Sequence, residues 1–250
     1  MPARRGIFVA PFDELFEPAL LAELAADAEA RGWDGFFVWD HVAYLEPVRA
    51  VADPWIALSA VAAATSRVRI GPMVTPLSRR RTSKLARETI TLDHLSNGRL
   101  TLGVGLGSDR TGELERFGEV TDPRERASIL DRALAELDEL WSGGFEPPPV
   151  QRPRIPVWVA ARWPHRRPVR RAVRWDGLFP IELPGPEAMA VLAGEIEQAR
   201  GDDPFDLVAE ISPGADADPW ERAGATWIVT GFGPAPRVTQ VREAIAAGPR

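Results

Sequence analysis

The stretch LDHLSNGRLTLGVGLG at residues 92–107 reads, in uninterrupted order, as the end of a helix, a tight turn, a buried strand and a glycine-rich exit loop. Asn97-Gly98 stops the helix, because glycine accepts the left-handed backbone position that closes a helical C-terminus. Leu100, Leu102 and Val104 then alternate with smaller or polar residues, and Gly105 and Gly107 remove side chains where the strand meets solvent. In α/β proteins ligands sit beyond the carboxyl ends of strands, so this loop is the first place to look for one.

Outward from this stretch the same cadence repeats. Residues 6–10 form a short apolar strand, and a helix over 17–31 places Leu20, Leu21, Leu24, Ala25 and Ala28 on one face before Gly32 ends it. Residues 35–39 are the second strand; Asp53-Pro54 then supplies an N-cap and a first-turn proline for a helix running to Thr65. Strand three is 68–74, helix three 84–96, strand four 100–104 and helix four 124–141. A proline-rich loop at 142–156 leads to strand five at 157–160 and a short basic helix at 168–174. The remaining units are strand six at 177–181, a helix at 186–200, strand seven at 207–211, a short helix at 219–223, strand eight at 226–230 and a closing helix at 237–247. Eight short apolar strands alternating with helices predict an α/β fold, a single-domain (β/α)8 TIM barrel over residues 1–250 with shortened loops. A doubly wound open sheet is the alternative.

Composition removes several function classes. A chain with 45% hydrophobic and 26% charged residues can bury a substantial core, and a net charge of -6 argues against a general nucleic-acid binder. Local arginine clusters at 79–81 and 166–171 can still hold a phosphorylated small molecule. The absence of cysteine excludes thiolate metal sites and cysteine nucleophiles. No apolar run approaches the roughly 20 residues a membrane helix needs, and the first residues do not form a signal peptide, so a cytoplasmic location is expected. No metal-ligand spacing, GxSxG elbow or phosphate-loop motif is present. Lys84, the only lysine, begins helix three and offers no obvious Schiff-base site, which disfavours a barrel lyase or hydrolase.

Asp40-His41 follows strand two directly and falls at the carboxyl rim of the expected barrel, where catalytic groups gather. A histidine there exchanges protons near neutral pH, with an adjacent or opposing carboxylate fixing its tautomer. The plainer reading is that Asp40 caps a turn and His41 fills space. His94 sits inside helix three and receives no chemistry, while His165 lies in a basic loop. GVGLG at 103–107 lacks dinucleotide-motif spacing; it is either a tight turn or a place where backbone N–H groups approach a cofactor. Trp39, Trp163 and Trp175 fall near strand ends, where indoles can line an apolar pocket.

The VWDH of residues 38–41, the IGPMVTP of 70–76, the block at 76–107, VWVAA at 157–161 and RWDG at 174–177 together resemble the bacterial luciferase-like flavin and F420-dependent oxidoreductases. The resemblance spans most of the chain. It implies a (β/α)8 barrel that binds F420 or FMN at its carboxyl mouth, in a superfamily with many homodimers. Asp40 and His41 match an Asp-His pair of the F420-dependent members, which implies proton transfer by His41. Met73, Val74 and Thr75 match the bulge that props the cofactor ring, with a cis bond expected between Met73 and Val74. The resemblance also assigns Gly105, Leu106, Gly107 and Ser108 after strand four to the cofactor, and Ala160, Ala161 and Arg162 after strand five.

Two departures from the family pattern follow. Ser108, with Asp109 beside it, stands where some sugar-phosphate dehydrogenases carry a glutamate. The loop after strand five reads Ala160-Ala161-Arg162-Trp163-Pro164 instead of being glycine-rich, so Arg162 or Arg166 is the expected phosphate contact. The leading expectation is F420-dependent hydride transfer acting on a small molecule. An FMN monooxygenase served by a partner flavin reductase is the alternative, and a non-catalytic flavin-binding homologue is the reading from another class.

Overall fold

A computed structural model describes residues 2–249. The chain runs β1 (Arg4–Val9), α1 (Pro18–Ala30), β2 (Gly35–Val38), α2 (Pro54–Ala64), β3 (Arg69–Pro72), β4 (Thr75–Pro76), α3 (Thr82–Leu95), β5 (Leu102–Gly105) and α4 (Glu113–Arg116). It continues through α5 (Pro123–Glu139), β6 (Val157–Arg162), α6 (Arg167–Ala172), β7 (Gly177–Ile181), α7 (Pro186–Arg200), β8 (Asp206–Ile211), α8 (Asp218–Arg222), β9 (Trp227–Gly231) and α9 (Val238–Ala247). All ladder pairs are parallel, in the order β3-β2-β1-β9-β8-β7-β6-β5-β4. β3 and β4 are two halves of one stave, and a parallel bridge from Ile70 to Leu100 joins the ends of the sheet. The predicted barrel is therefore present, as a nearly closed ring with helices between its strands.

Two predicted strands differ in outline, for one shared reason. The third does not run unbroken over 68–74: it pairs with β2 as far as Pro72, breaks at Met73 and Val74, and resumes against β5 at Thr75. The Met73–Val74 peptide is cis. The fourth begins its regular ladder at Leu102 instead of Leu100. Between them the backbones come so close that a Cβ on Gly71 would lie 1.9 Å from the Thr101 carbonyl oxygen, and one on Gly103 would lie 2.3 Å from that of Pro72. The glycines of this region are thus required first by the approach of two strands.

The helices start where sequence chemistry starts them. The Asp53 carboxylate accepts from the N–H groups of Trp55 and Ile56 at 2.9 and 3.0 Å, with Pro54 next to it, and Asp122 does the same for α5. Helix four of the sequence reading ends at Glu139 and is extended by one wide turn over residues 140–144.

Strand alternation divides the apolar residues into two cores. Outward faces such as Ile7, Val9, Phe36 and Val38 meet Leu21, Leu24 and Leu58 of the helices. Inward faces supply Phe8, Phe37, Met73, Trp158, Phe179, Val208, Trp227 and Val229, which fill the barrel. Its amino end is sealed by Arg69, whose guanidinium lies 3.2 Å from Asp206, while the indole N–H of Trp158 donates to the same carboxylate at 3.1 Å. With that end closed, the barrel opens only at its carboxyl mouth among the described residues. No described helix is long and apolar enough to cross a membrane.

Candidate functional site

At the carboxyl mouth lies a cavity of about 980 Å³, at the upper end of the range for small-molecule sites. Its floor is apolar and aromatic, formed by Phe8, Trp39, Met73, Val74, Ala160, Phe179 and Ile181. Phe8 meets Trp39 at 5.9 Å and Phe179 at 5.7 Å between ring centres, a geometry that holds rings in fixed places.

His41 forms part of the wall. It emerges just beyond β2, because the ladder ends at Val38 and the chain turns over the rim. Tyr44 packs edge-on to its ring at 5.0 Å between centres, and Phe12 does so at 6.0 Å. Its Nδ1 lies 2.8 Å from Oε2 of Glu113. The other oxygen of Glu113 accepts from the backbone N–H of Val42 and of Ala43, and from Arg79 Nη1 at 2.8 Å.

Burial alone would raise the proton affinity of Glu113. The hydrogen bonds from His41 and Val42, with the positive charges of His41 and Arg79, outweigh it and hold this carboxyl below the usual glutamate range. An ionised carboxylate only accepts, so the Nδ1 of His41 carries a hydrogen and Nε2 is the nitrogen left to exchange a proton with a ligand.

Asp40 does something different from its neighbour. Its side chain is fully buried and accepts from Arg79 Nη2 at 2.5 Å, from Arg80 Nη2 at 2.9 Å and from Thr75 Oγ1 at 2.8 Å. The residue that orients His41 is Glu113, and Asp40 anchors the arginine that clamps Glu113. Glu113 escaped the sequence reading because the segment after Ser108 has no helical periodicity; the four-residue α4 that presents it is set by Asp109, which accepts from Leu114 N at 2.7 Å.

Of the residues expected around a cofactor, Met73, Val74, Gly105, Leu106, Gly107, Ser108, Ala160 and Arg162 line the cavity. Thr75 is buried behind it on Asp40, and Ala161 points outward into the helix-facing core. Gly107 has φ +69°, and Arg126 donates to the carbonyls of Leu106 and Gly107 at 3.2 and 3.0 Å, fixing the loop. Trp39 belongs to the wall, whereas Trp163 and Trp175 lie under Arg166 and Arg154 at 4.4 and 4.7 Å. The Nε2–H of His94 donates to the Pro148 carbonyl 2.8 Å away, and His94 takes no part in the site.

Arg162 and Arg166, the expected phosphate contacts, are each matched already: Arg162 with Glu182, and Arg166 with Glu195 at 2.8 Å. Arg124, Arg167 and His165 line the same rim, and among the described residues their side chains have no carboxylate partner. The chemistry of this wall suits a ring-bearing anionic cofactor. The buried indole N–H of Trp39 lacks an acceptor, the floor is apolar, and free cations stand at the rim.

The sequence pattern of the luciferase-like monooxygenase family matches residues 6–248. The chain belongs to that family. Within it, an F420-dependent glucose-6-phosphate dehydrogenase of Nakamurella multipartita is 36% identical over 137 residues, covering 52% of this chain and 39% of the relative. The oxygenase component of a flavin-dependent trigonelline monooxygenase from Acinetobacter baylyi is 28% identical over 159 residues, covering 58% of this chain and 43% of the relative. An F420-dependent secondary alcohol dehydrogenase, solved in complex with an F420-acetone adduct, superposes with a TM-score of 0.80 over 100% of this chain and 98% of its own, at 17% identity. This luciferase-like chain spans less than two thirds of the length of the curated relatives it matches.

Proposed function

We propose that this luciferase-like protein is an oxidoreductase that binds coenzyme F420 in the barrel mouth and acts on a small molecule. The observation that carries this reading is the His41–Glu113 pair at the cavity wall, which leaves Nε2 of His41 as a positioned proton donor and acceptor. The bound cofactor would supply hydride exchange. The chain's own residues supply the rest. Met73, Val74 and Ala160 would support the ring from below, Trp39 would donate to a ring acceptor, and Arg124, Arg167 and His165 would hold the anionic tail. Phe8, Trp39 and Phe179 exclude water from the floor, and Glu113 keeps His41 in one tautomer as its proton moves.

FMN is the competing cofactor, supported by the family description and by a flavin-dependent relative. In that case a separate reductase would supply reduced flavin. Fluorescence titration of the protein with F420 and, separately, with FMN tests the choice. Saturable binding of F420 well below the concentration needed for FMN is expected. The reverse order favours the monooxygenase reading, and binding of neither makes the chain a non-catalytic homologue. Sedimentation of the same sample tests the further expectation of a homodimer.

A further inference from the structure

Glu210 stands near the carboxyl end of β8, two residues beyond Val208, which belongs to the cluster filling the barrel. Alternation points both side chains inward. On β9 its register partner is Val229, and two residues further on, at Gly231, a Cβ would lie 2.2 Å from Oε1 of Glu210, so this glycine leaves the carboxyl its place. Glu210 lines the cavity that contains His41 and also an adjoining chamber of about 850 Å³, formed by the ends of β7, β8 and β9 and by α9.

Of the other carboxylates, Asp40 is matched by Arg79 and Arg80, Glu113 by His41 and Arg79, and Glu182 by Arg110 and Arg162, while Asp109 accepts from the backbone N–H groups of Leu114 and Glu115, and Glu243, an exposed residue of α9, lines the chamber as well. Among the described residues Glu210 has no hydrogen-bond or ion-pair partner. Water reaches it through the cavities, yet the protein packed around it raises its proton affinity above that of an ordinary glutamate. The adjoining chamber is lined by Leu183, Ile211, Pro213 and Phe232 among others, and by no lysine, arginine or histidine. A cavity-lining carboxylate with no counter-charge beside it gains from a ligand that brings one.

We propose that Glu210 is a specificity-determining residue: the chamber beside the cofactor cavity admits an organic molecule bearing a protonated nitrogen, and the Glu210 carboxylate accepts a charge-assisted hydrogen bond from that group. The proposal deepens the oxidoreductase reading, on which it rests for the identity of the bound molecule as substrate. The mouth then divides the work by charge, with Arg124 and Arg167 facing an anionic tail and Glu210 facing a cation.

The test compares benzylammonium with benzyl alcohol, two probes that share a ring and differ in charge, by ligand-observed NMR titration of the full chain. Benzylammonium is expected to bind about tenfold more tightly or better. The preference disappears in Glu210→Gln and in Glu210→Ala, of which the former keeps size and shape should the latter fail to fold. Equal binding of the two probes, no binding of benzylammonium, or a preference that survives in either folded variant overturns the proposal. Titration of the same samples with F420 and FMN reads the oxidoreductase assignment separately. Wild-type protein that keeps the ammonium preference but binds neither cofactor overturns that assignment alone, and cofactor binding without the preference overturns only the role of Glu210.

Discussion

Nδ1 of His41 and Oε2 of Glu113 lie 2.8 Å apart, although the two residues are 72 positions apart in sequence. The pair joins the rim of β2 to a short helix beyond β5, so the group proposed to exchange a proton is held by an element that the barrel ladder does not include. His41→Ala is expected to lower kcat about 100-fold or more on a substrate that the wild type turns over. Glu113→Gln keeps a polar contact but loses the charge, and an intermediate loss of about tenfold is expected. Because Glu113 acts through His41, the double variant should be no slower than His41→Ala alone; steady-state kinetics on the four proteins checks this.

Asp40 should separate from His41 in the kind of damage its loss does. Its carboxylate is fully buried between Arg79 and Arg80, and removing it leaves, among the described residues, Arg80 with no carboxylate partner and Arg79 with Glu113 alone. Breaking a buried pair in this way costs about 3–5 kcal/mol. Asp40→Ala is therefore expected to unfold at markedly lower urea concentration, whereas His41→Ala, with a partly accessible ring, should unfold close to wild type. Equal midpoints for the two variants would show that Asp40 carries no special share of stability.

Acid should weaken the protein through Glu29. Burial by itself would raise its pKa, but the N–H groups of Val68, Arg67 and Ser66 and the Ser66 hydroxyl donate to it, lowering it to about 2 from 4.5. Since the folded state holds this proton less tightly than the unfolded state, stability from the clamp is fully present above about pH 4.5 and is lost as pH falls towards 2. Discounted for solvent screening at this lightly buried site, the difference is worth about 1–2 kcal/mol. Glu29→Gln should lose most of that at pH 7 and show a smaller difference from wild type near pH 2.5; denaturant melts at the two pH values measure it.

The barrel was legible in the sequence because its strands are short apolar runs separated by helices with clear starts and stops, as at Asp53-Pro54 and Asn97-Gly98. His41 was legible for the same reason, since it directly follows a strand. Glu113 and Glu210 were not. Glu113 depends on a loop fold fixed by one Asp109 contact, and Glu210 looks like any exposed acidic residue in a strand until Val208 and Gly231 show which way it faces. The role of the glycines also changed: in sequence Gly105 and Gly107 pointed to a ligand, whereas the tightest approaches to backbone atoms lie at Gly71 and Gly103 between the broken third stave and β5.

That closeness gives a direct expectation for Gly71. Its Cβ would meet a backbone oxygen, which cannot move aside as a flexible side chain would. Gly71→Ala should destabilise the fold by about 3 kcal/mol or more. A control is Gly194→Ala, where nothing lies within 4 Å of the added atom, and which sits in the middle of α7. There the substitution should be neutral or stabilising by up to about 1 kcal/mol. Thermal melts of the two variants distinguish strand crowding from a general intolerance of added methyl groups.

The unmatched cations at the rim should be felt only by cofactors that carry negative charge. Arg124 and Arg167 have no carboxylate partner and line the cavity, so removing either sacrifices no native ion pair. The double variant Arg124→Ala/Arg167→Ala is expected to weaken FMN or F420 binding about tenfold or more, in line with the worth of charge-assisted hydrogen bonds. Riboflavin keeps the ring of FMN and lacks the phosphate. Its binding should stay within about twofold of wild type, because the floor of Met73, Val74 and Ala160 is untouched. A parallel loss of riboflavin and FMN affinity would place the damage in the pocket as a whole and remove these arginines from cofactor recognition.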